Sequence, residues 1–157
     1  MRSVISRVAL VGGLIACLAS VSCTADVHDN TADIHDNTVN IDEATVEINS
    51  DADLDNVEQG SSVPCTAKAT NVVLVEPSAP PPEDNAENAG HFRYYVDTTE
   101  SEPVMVTAQT NINITINNTI TEGDHKIICR VHKHDGTPTT AKSEIKIHVK
   151  AKVTTSG

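Results

Sequence analysis

The sequence is poor in aromatic residues, with one Phe, two Tyr and no Trp among 157 residues. Its core must therefore be filled by Val, Ile, Leu and Ala. These side chains leave little buried apolar surface beyond what folding needs. At the usual size of about 100 to 200 residues per domain, the chain is long enough for one core. We expect one small domain with a lean aliphatic core that a covalent cross-link would stabilise.

The sequence also lacks the common catalytic motifs. It has no Gly-x-Ser-x-Gly element, no phosphate-binding glycine loop and no His-Glu-x-x-His motif. Its carboxylates are concentrated in polar segments, where a solvated Asp or Glu lacks the positioning that acid–base catalysis requires. We therefore expect a protein that is not an enzyme, with no catalytic residue and no cofactor.

No apolar run reaches the roughly 20 residues that a membrane-spanning helix needs. A shorter apolar run, Val8 to Ala16, follows Arg2 and Arg7. A positively charged leader before a short apolar run is typical of an export signal. We predict a signal peptide over residues 1–16 and an exported protein.

The end of this apolar run favours a lipid anchor. Leu14-Ile15-Ala16-Cys17 resembles a bacterial lipobox, in which the cysteine is acylated and becomes the new N-terminus. Cleavage before Cys23 is the alternative, because it would leave an even pair of cysteines behind. We predict lipid attachment at Cys17, which places the protein at the outer membrane or the cell surface, with the periplasmic face as an open alternative.

Basic residues are absent from Thr24 to Gly60, a stretch that holds eleven Asp or Glu residues. Within it ADVHDNT (25–31) is followed by ADIHDNT (32–38). With one large aliphatic residue per repeat, the segment cannot offset the entropy lost on ordering. We predict a disordered acidic tether over residues 17–44.

From Thr45 onward the polar and apolar residues alternate, and Pro, Gly, Asn and Asp bound the alternating segments. This pattern is typical of short, half-buried strands. We predict an all-β domain over residues 45–152, followed by a tail at 153–157. The seven predicted strands are 46–49, 62–75, 91–97, 103–109, 111–117, 124–134 and 143–152.

Four segments of this domain carry a family resemblance: GHFRYYVD (90–97), AQTNINITI (108–116), EGDHKIICRVHKHDGTP (122–138) and SEIKIHV (143–149). They resemble bacterial Ig-like domains of unknown function, common in predicted lipoproteins, that carry a GHxHxxxD strand. Where that family has its second histidine, this chain has Arg93. The resemblance implies a seven-stranded Ig-like or fibronectin-III-like β-sandwich, and it implies no activity.

Two cysteines fit such a sandwich. Cys65 shares its side of the second predicted strand with Val63, and Cys129 shares its side of the sixth with Ile127. The second and sixth strands of an Ig-type sandwich face each other across the two sheets. Since export exposes thiols to oxidising conditions, we predict a disulfide between Cys65 and Cys129.

The third, sixth and seventh predicted strands are neighbours in one sheet of an Ig-type sandwich. Their outward positions would form a cationic, His-rich face that attracts an anionic partner, such as an acidic cell-envelope glycan, or another envelope protein. Solvated lysines that protect strand edges would give the same pattern without a ligand. The candidate ligand-binding residues are His91, Arg93, Tyr95, Lys126, Arg130, His132, Lys146 and His148.

We thus predict a non-catalytic exported lipoprotein whose Ig-like module binds a ligand or has a structural role. A copper or zinc site built from His91, His132 and His134 is the alternative, although the surrounding cations disfavour it. Nucleic acid is excluded as a partner by export and by the net charge of -11.

The lipid anchor is directly testable. Mass spectrometry of the mature N-terminus should find an acylated Cys17, and Cys17→Ala should move the protein from the membrane fraction to the soluble fraction, because each buried CH₂ of an acyl chain contributes about 0.8 kcal/mol. An unmodified N-terminus after Ala25 would contradict the anchor. Acylation at Cys23 would contradict only its position.

Overall fold

The computed structural model describes residues 39–152. The predicted signal peptide, both candidate acylation sites, the repeats and the tail at 153–157 lie outside the described residues. Within these bounds no helix is long and apolar enough to cross a membrane.

The described chain forms two β-sheets. In chain order the strands are β1 (Thr45–Asn49), β2 (Val57–Glu58), β3 (Ser62–Thr70), β4 (Val73–Leu74), β5 (Ala89–Val96), β6 (Met105–Thr107), β7 (Asn111–Thr115), β8 (Gly123–Lys133) and β9 (Pro138–Lys150). The first sheet has the order β1-β3-β7, and the second has the order β2-β9-β8-β5-β4, with β6 also paired to β5. All pairs are antiparallel except β2 with β9 and β4 with β5.

This strand order is that of an Ig-like sandwich, and β3 and β8, which correspond to the second and sixth predicted strands, belong to opposite sheets. The prediction of an all-β sandwich is confirmed. The predicted third, sixth and seventh strands, which correspond to β5, β8 and β9, are neighbours as expected.

Between residues 39 and 152 nine strands replace the seven predicted. The predicted strand 62–75 divides at Asn71, whose φ of 55° turns the chain out of the first sheet so that β4 joins the second. Asn tolerates this left-handed backbone better than most residues. The short β2 pairs with the end of β9 and was not predicted, because two residues show no periodicity.

The core lies between the two sheets and follows the predicted alternation. In β7, Ile112 and Ile114 are buried while Asn111 and Asn113 are exposed. Two of the three aromatic residues, Phe92 and Tyr94, occupy the inward positions of β5 and are fully buried. The scarce large side chains are thus placed where they fill the most space.

Ordered structure is already present before the predicted start of the domain at residue 45. A short 3-10 helix, Ile41–Glu43, precedes β1, and Ile41 is only 2 % exposed within the core. The Ile41 amide donates to Asn88 Oδ1 (3.1 Å), and Lys133 Nζ lies 2.7 Å from Asp42 Oδ1. The prediction that the tether extends to residue 44 is therefore wrong at its C-terminal end, because one aliphatic side chain anchors the segment.

The predicted disulfide is also wrong: Cys65 and Cys129 are free thiols. Both lie on the inner faces of opposite sheets, as expected, but alternation predicts the face of a residue and not the distance between two sulfurs. The Cys65 thiol is directed at the Val63 carbonyl (3.6 Å). Burial raises the pKa of Cys65 to about 11 and that of Cys129 to about 12, so both remain protonated.

The role of Ile41 generates a prediction. Ile41→Ala should lower the free energy of unfolding by about 2 to 5 kcal/mol, because it removes a buried side chain and leaves a cavity. Val104→Ala is the control, since Val104 is 43 % exposed and should change stability by less than about 0.5 kcal/mol. Urea unfolding measures both variants. Equal stabilities of the two would mean that the segment before β1 is not part of the core.

Candidate anion-binding face

The outward side of β5, β8 and β9, which we call the outer face, is organised in rows by the strand register. Arg93 of β5 is opposite Arg130 of β8, and Arg130 is opposite Lys142 of β9. Directly opposed side chains in antiparallel strands have Cβ atoms about 4.5 to 5.5 Å apart. Three basic side chains therefore start from neighbouring positions across three strands, and we call them the basic row.

Like charges placed directly opposite one another are destabilising unless something compensates them. Throughout residues 39–152, no Asp or Glu lies within 4.0 Å of the charged nitrogens of Arg93, Arg130 or Lys142. The basic row therefore has no carboxylate partner in the described part of the protein.

Each arginine of the basic row is held through its Nε atom. Arg130 Nε donates to the Thr139 carbonyl (2.9 Å), and Arg93 Nε donates to His91 Nε2 (3.4 Å). The terminal nitrogens of both groups donate to no described residue. A guanidinium fixed in this way presents a preformed fork of donors that matches a carboxylate, sulfate or phosphate.

The turn between β8 and β9 supports this geometry. A register shift between Arg130 and His132 marks a bulge in the pairing of β8 with β9, and in this region the Thr139 carbonyl accepts from Arg130. Gly136 has a φ of 89°, and a Cβ atom there would lie 3.0 Å from Arg93 Nη2. The turn thus packs closely against the guanidinium of Arg93.

Three predicted ligand-binding residues lie on the outer face but are buried. His91 is 1 % exposed, His132 is 5 % exposed and Tyr95 is also buried. They are predicted to contact a ligand directly, whereas this structure shields their side chains from solvent. The His91 and His132 rings are stacked with centroids 6.2 Å apart.

The hydrogen bonds define the state of these histidines. His132 Nδ1 donates to the Gly136 carbonyl (2.9 Å), so its Nε2 accepts from the Tyr95 hydroxyl (3.1 Å). Burial lowers the pKa of His91 to about 4, assisted by the nearby charges of Arg93, His132 and His134 and opposed by Glu76. Burial also lowers the pKa of His132. Two neutral imidazole rings therefore lie beside Arg93 on the outer face.

The other end of the outer face is a cleft of about 460 Å³. It contains the predicted residues Lys126, Lys146 and His148, together with carboxylates that were not predicted there. The lining residues are Asp55, Asp97, Asp124, His125, Lys126, Lys146, Ile147 and His148.

Carboxylates neutralise much of the positive charge in this cleft. Lys126 Nζ bonds to Glu144 Oε2 (3.2 Å), and His148 Nδ1 lies 2.7 Å from Asp124 Oδ1. The hydrogen bond from His148 lowers the pKa of Asp124. The predicted uniform cationic face therefore divides into a mixed-charge cleft and the uncompensated basic row.

His125 differs from the buried histidines. Its Nδ1 lies 2.8 Å from Asp97 Oδ2, and its Nε2 lies 2.9 Å from the Thr121 carbonyl. Because both partners are acceptors, they favour the ring that carries two protons. The bond to Asp97 raises the pKa of His125, assisted by the bond to Thr121.

The alternative metal site gains no support. In the part of the chain that the structure describes, no three His, Cys, Asp or Glu side chains are arranged to hold a metal ion. The bonds from Arg93 and Tyr95 also occupy Nε2 of His91 and His132.

Sequence reasoning missed Lys142, which lies one residue before the predicted start of the last strand. β9 begins earlier, at Pro138, so the alternation through Lys142, Glu144 and Lys146 continues further back than expected. The missed Asp97 directly follows β5, and it accepts from the Lys126 amide (3.1 Å) as well as pairing with His125. Alternation could have found Lys142, but only strand pairing reveals the partners of Asp97.

Comparisons with known proteins indicate resemblance in fold alone. No family model matches the sequence, so the resemblance to the GHxHxxxD family gains no support beyond its fold, and no curated protein matches either. A fibronectin(III)-like module of Clostridium thermocellum CbhA is 16 % identical with a TM-score of 0.40, over 67 % of this chain and 98 % of that one.

Extracellular domains of two proteins described as hybrid two-component systems from B. thetaiotaomicron are also similar. One is 10 % identical with a TM-score of 0.37, over 69 % of this chain and 16 % of that one. The other is 12 % identical with a TM-score of 0.39, over 76 % of this chain and 17 % of that one. Sequence identities and TM-scores this low support no conclusion about a ligand or an activity of this chain.

The histidines generate a prediction about pH. Between about pH 6.5, the ordinary value for an unfolded histidine, and about pH 4, the unfolded chain binds a proton at His91 that the folded chain does not. Stability should fall as the pH is lowered, by about 2 kcal/mol between pH 7 and pH 5 from His91 alone. His91→Gln should reduce this slope in urea unfolding.

His125 should act in the opposite direction. Its raised pKa means that its stabilising contribution is complete below the unfolded value and is lost as the pH rises through the folded value. His125→Gln should therefore be less stable than the wild type at pH 6 and almost as stable as the wild type at alkaline pH.

The buried neutral state of His91 would be contradicted if His91→Gln had the same pH slope of stability as the wild type.

Proposed function

We propose that this chain is a non-catalytic, exported and lipid-anchored module that binds an anionic cell-envelope ligand through the basic row. The observation that carries the proposal is the pair of guanidinium groups of Arg93 and Arg130. They lie in register, are fixed through Nε, and have no carboxylate partner among residues 39–152. Export and anchorage rest on the sequence of the signal segment and Cys17.

The energetics favour an anionic group with two acceptor oxygens. Bidentate bonds from an arginine fork to a carboxylate or phosphate are stronger than bonds between neutral groups, and they fix the orientation of the ligand. Because the Nε atoms of Arg93 and Arg130 are already hydrogen-bonded, these side chains lose less conformational entropy when a ligand binds. A bound anion would also relieve the repulsion within the basic row.

The surrounding charge distribution is compatible with this role. The whole chain carries a net charge of -11, whereas residues 125–152 contain seven Lys or Arg against two acids. Positive charge concentrated on one face attracts anions locally even when the net charge of the chain is negative. Binding should therefore weaken with increasing salt concentration, because salt screens the charge of the exposed Lys142 in the basic row.

A purely structural role is the competing explanation. In that case the basic row would only keep the sheet surface soluble, and its neutralisation would change no binding. The mixed-charge cleft is the less favourable ligand site, because Glu144 already bonds to Lys126 and Asp124 adds a second carboxylate beside His148.

The proposal is tested by neutralising one arginine at a time. Arg130→Gln should weaken retention of the full-length protein on immobilised polygalacturonate about tenfold or more, because a bond to a charged group contributes about 1.5 to 3 kcal/mol. Lys68→Gln is the matched control: it removes the same charge from an exposed position of β3 in the other sheet. Equal retention of both variants and the wild type would contradict the proposal.

A further inference from the structure

The cations of the outer face are spaced unevenly. Neighbours in the basic row are one strand apart, which is about 4.8 Å. Along β8, the next outward cation after Arg130 is Lys126, four residues away and so at about 14 Å in an extended strand. The uncharged Ile128 lies between them and is buried. Closely spaced positive charges therefore occur only in the direction across the strands.

A negative charge separates the cations on β9. Lys142 and Lys146 both project from the outer face, and Glu144 lies between them. A polyanion that ran along β9 would meet this carboxylate after one cation. The strand direction is thus unfavourable for an anionic chain, whereas the row direction contains no acid.

The row also has a defined end. β6 places Val106 opposite Arg93, and Val106 is 38 % exposed and uncharged. Three cationic positions, at Arg93, Arg130 and Lys142, are therefore bounded on one side by an apolar residue. Their combined span is about 10 Å, two strand spacings.

We infer that the basic row selects a linear polyanion with one anionic group on every successive unit, such as a uronate polymer, and that this chain lies across β5, β8 and β9. The inference rests on the proposed function and adds the ligand class and its direction. Three successive carboxylates face the two guanidinium forks and the Lys142 ammonium. Each fork takes one carboxylate, while Lys142 acts as a point charge.

A length series tests the number of positions. The full-length protein is titrated with galacturonate and its dimer, trimer and hexamer at fixed ionic strength. Affinity should rise at least about fivefold per unit up to the trimer, since each unit reaches a new cation. From trimer to hexamer it should rise only about twofold to fourfold, because the number of equivalent binding registers increases while the contacts do not. A constant gain per unit up to the hexamer would contradict a three-position row.

Charge spacing is tested with polygalacturonate, which has a carboxylate on every sugar, and hyaluronate, which has one on every second sugar. At equal carboxylate concentration polygalacturonate should bind about tenfold or more tightly. Equal binding would overturn the inference and leave the proposed function intact, provided that Arg130→Gln still binds less than Lys68→Gln. Binding of neither polymer would count against both.

The direction of the ligand is tested with two lysines of one strand. Lys142→Gln should weaken polygalacturonate binding about fivefold or more and should lower the slope of log affinity against log salt by about one. Lys146→Gln removes the same charge from the same face of β9 but outside the row, and should change affinity less than twofold. Equal losses in both variants would show that the polymer runs along the strand, which would overturn the inference.

Discussion

The register that joins β5, β8 and β9 determines both sides of the second sheet. Its inward positions place apolar side chains in the core, and its outward positions align the basic row. Because side chains alternate with a period of two, a slip of one residue would exchange the two faces. Burial of Phe92, Tyr94, Ile127 and Val131 therefore holds Arg93 and Arg130 opposite each other despite their like charge. Burial of the inward apolar side chains stabilises the sheet, and this stabilisation offsets the repulsion between the outward arginines.

Two histidines share the outer face with the basic row. His91 and His132 are buried and neutral, so they lie beside Arg93 without adding positive charge to the row. At the opposite end His125 is bonded to Asp97 and Thr121, which favours its charged form. The same residue type thus has opposite protonation preferences within one sheet, because one site removes water and the other provides acceptors.

Local pattern was enough to predict the long strands and the alternation of their side chains, including β7 with its alternating Ile and Asn residues. Local pattern was not enough to predict very short strands or single buried residues outside the strands. Ile41 belongs to the core although its neighbours are polar, and β2 is too short to show a period. For the cysteines, alternation correctly predicted burial, but a disulfide depends on the separation of two sulfurs across the sheets, which no local pattern contains.

The sequence by itself determined the all-β class, the inward and outward sides of the main strands and the concentration of basic residues near the C-terminus. These properties follow from residue order and composition, which act over a few residues. Only the tertiary structure decided which charges compensate one another. Asp97 pairs with His125, Glu144 bonds to Lys126, and Arg93 is left beside Arg130, and each pair joins residues that are far apart in the sequence. Strand pairing sets these distances, so it alone separates the mixed-charge cleft from the basic row.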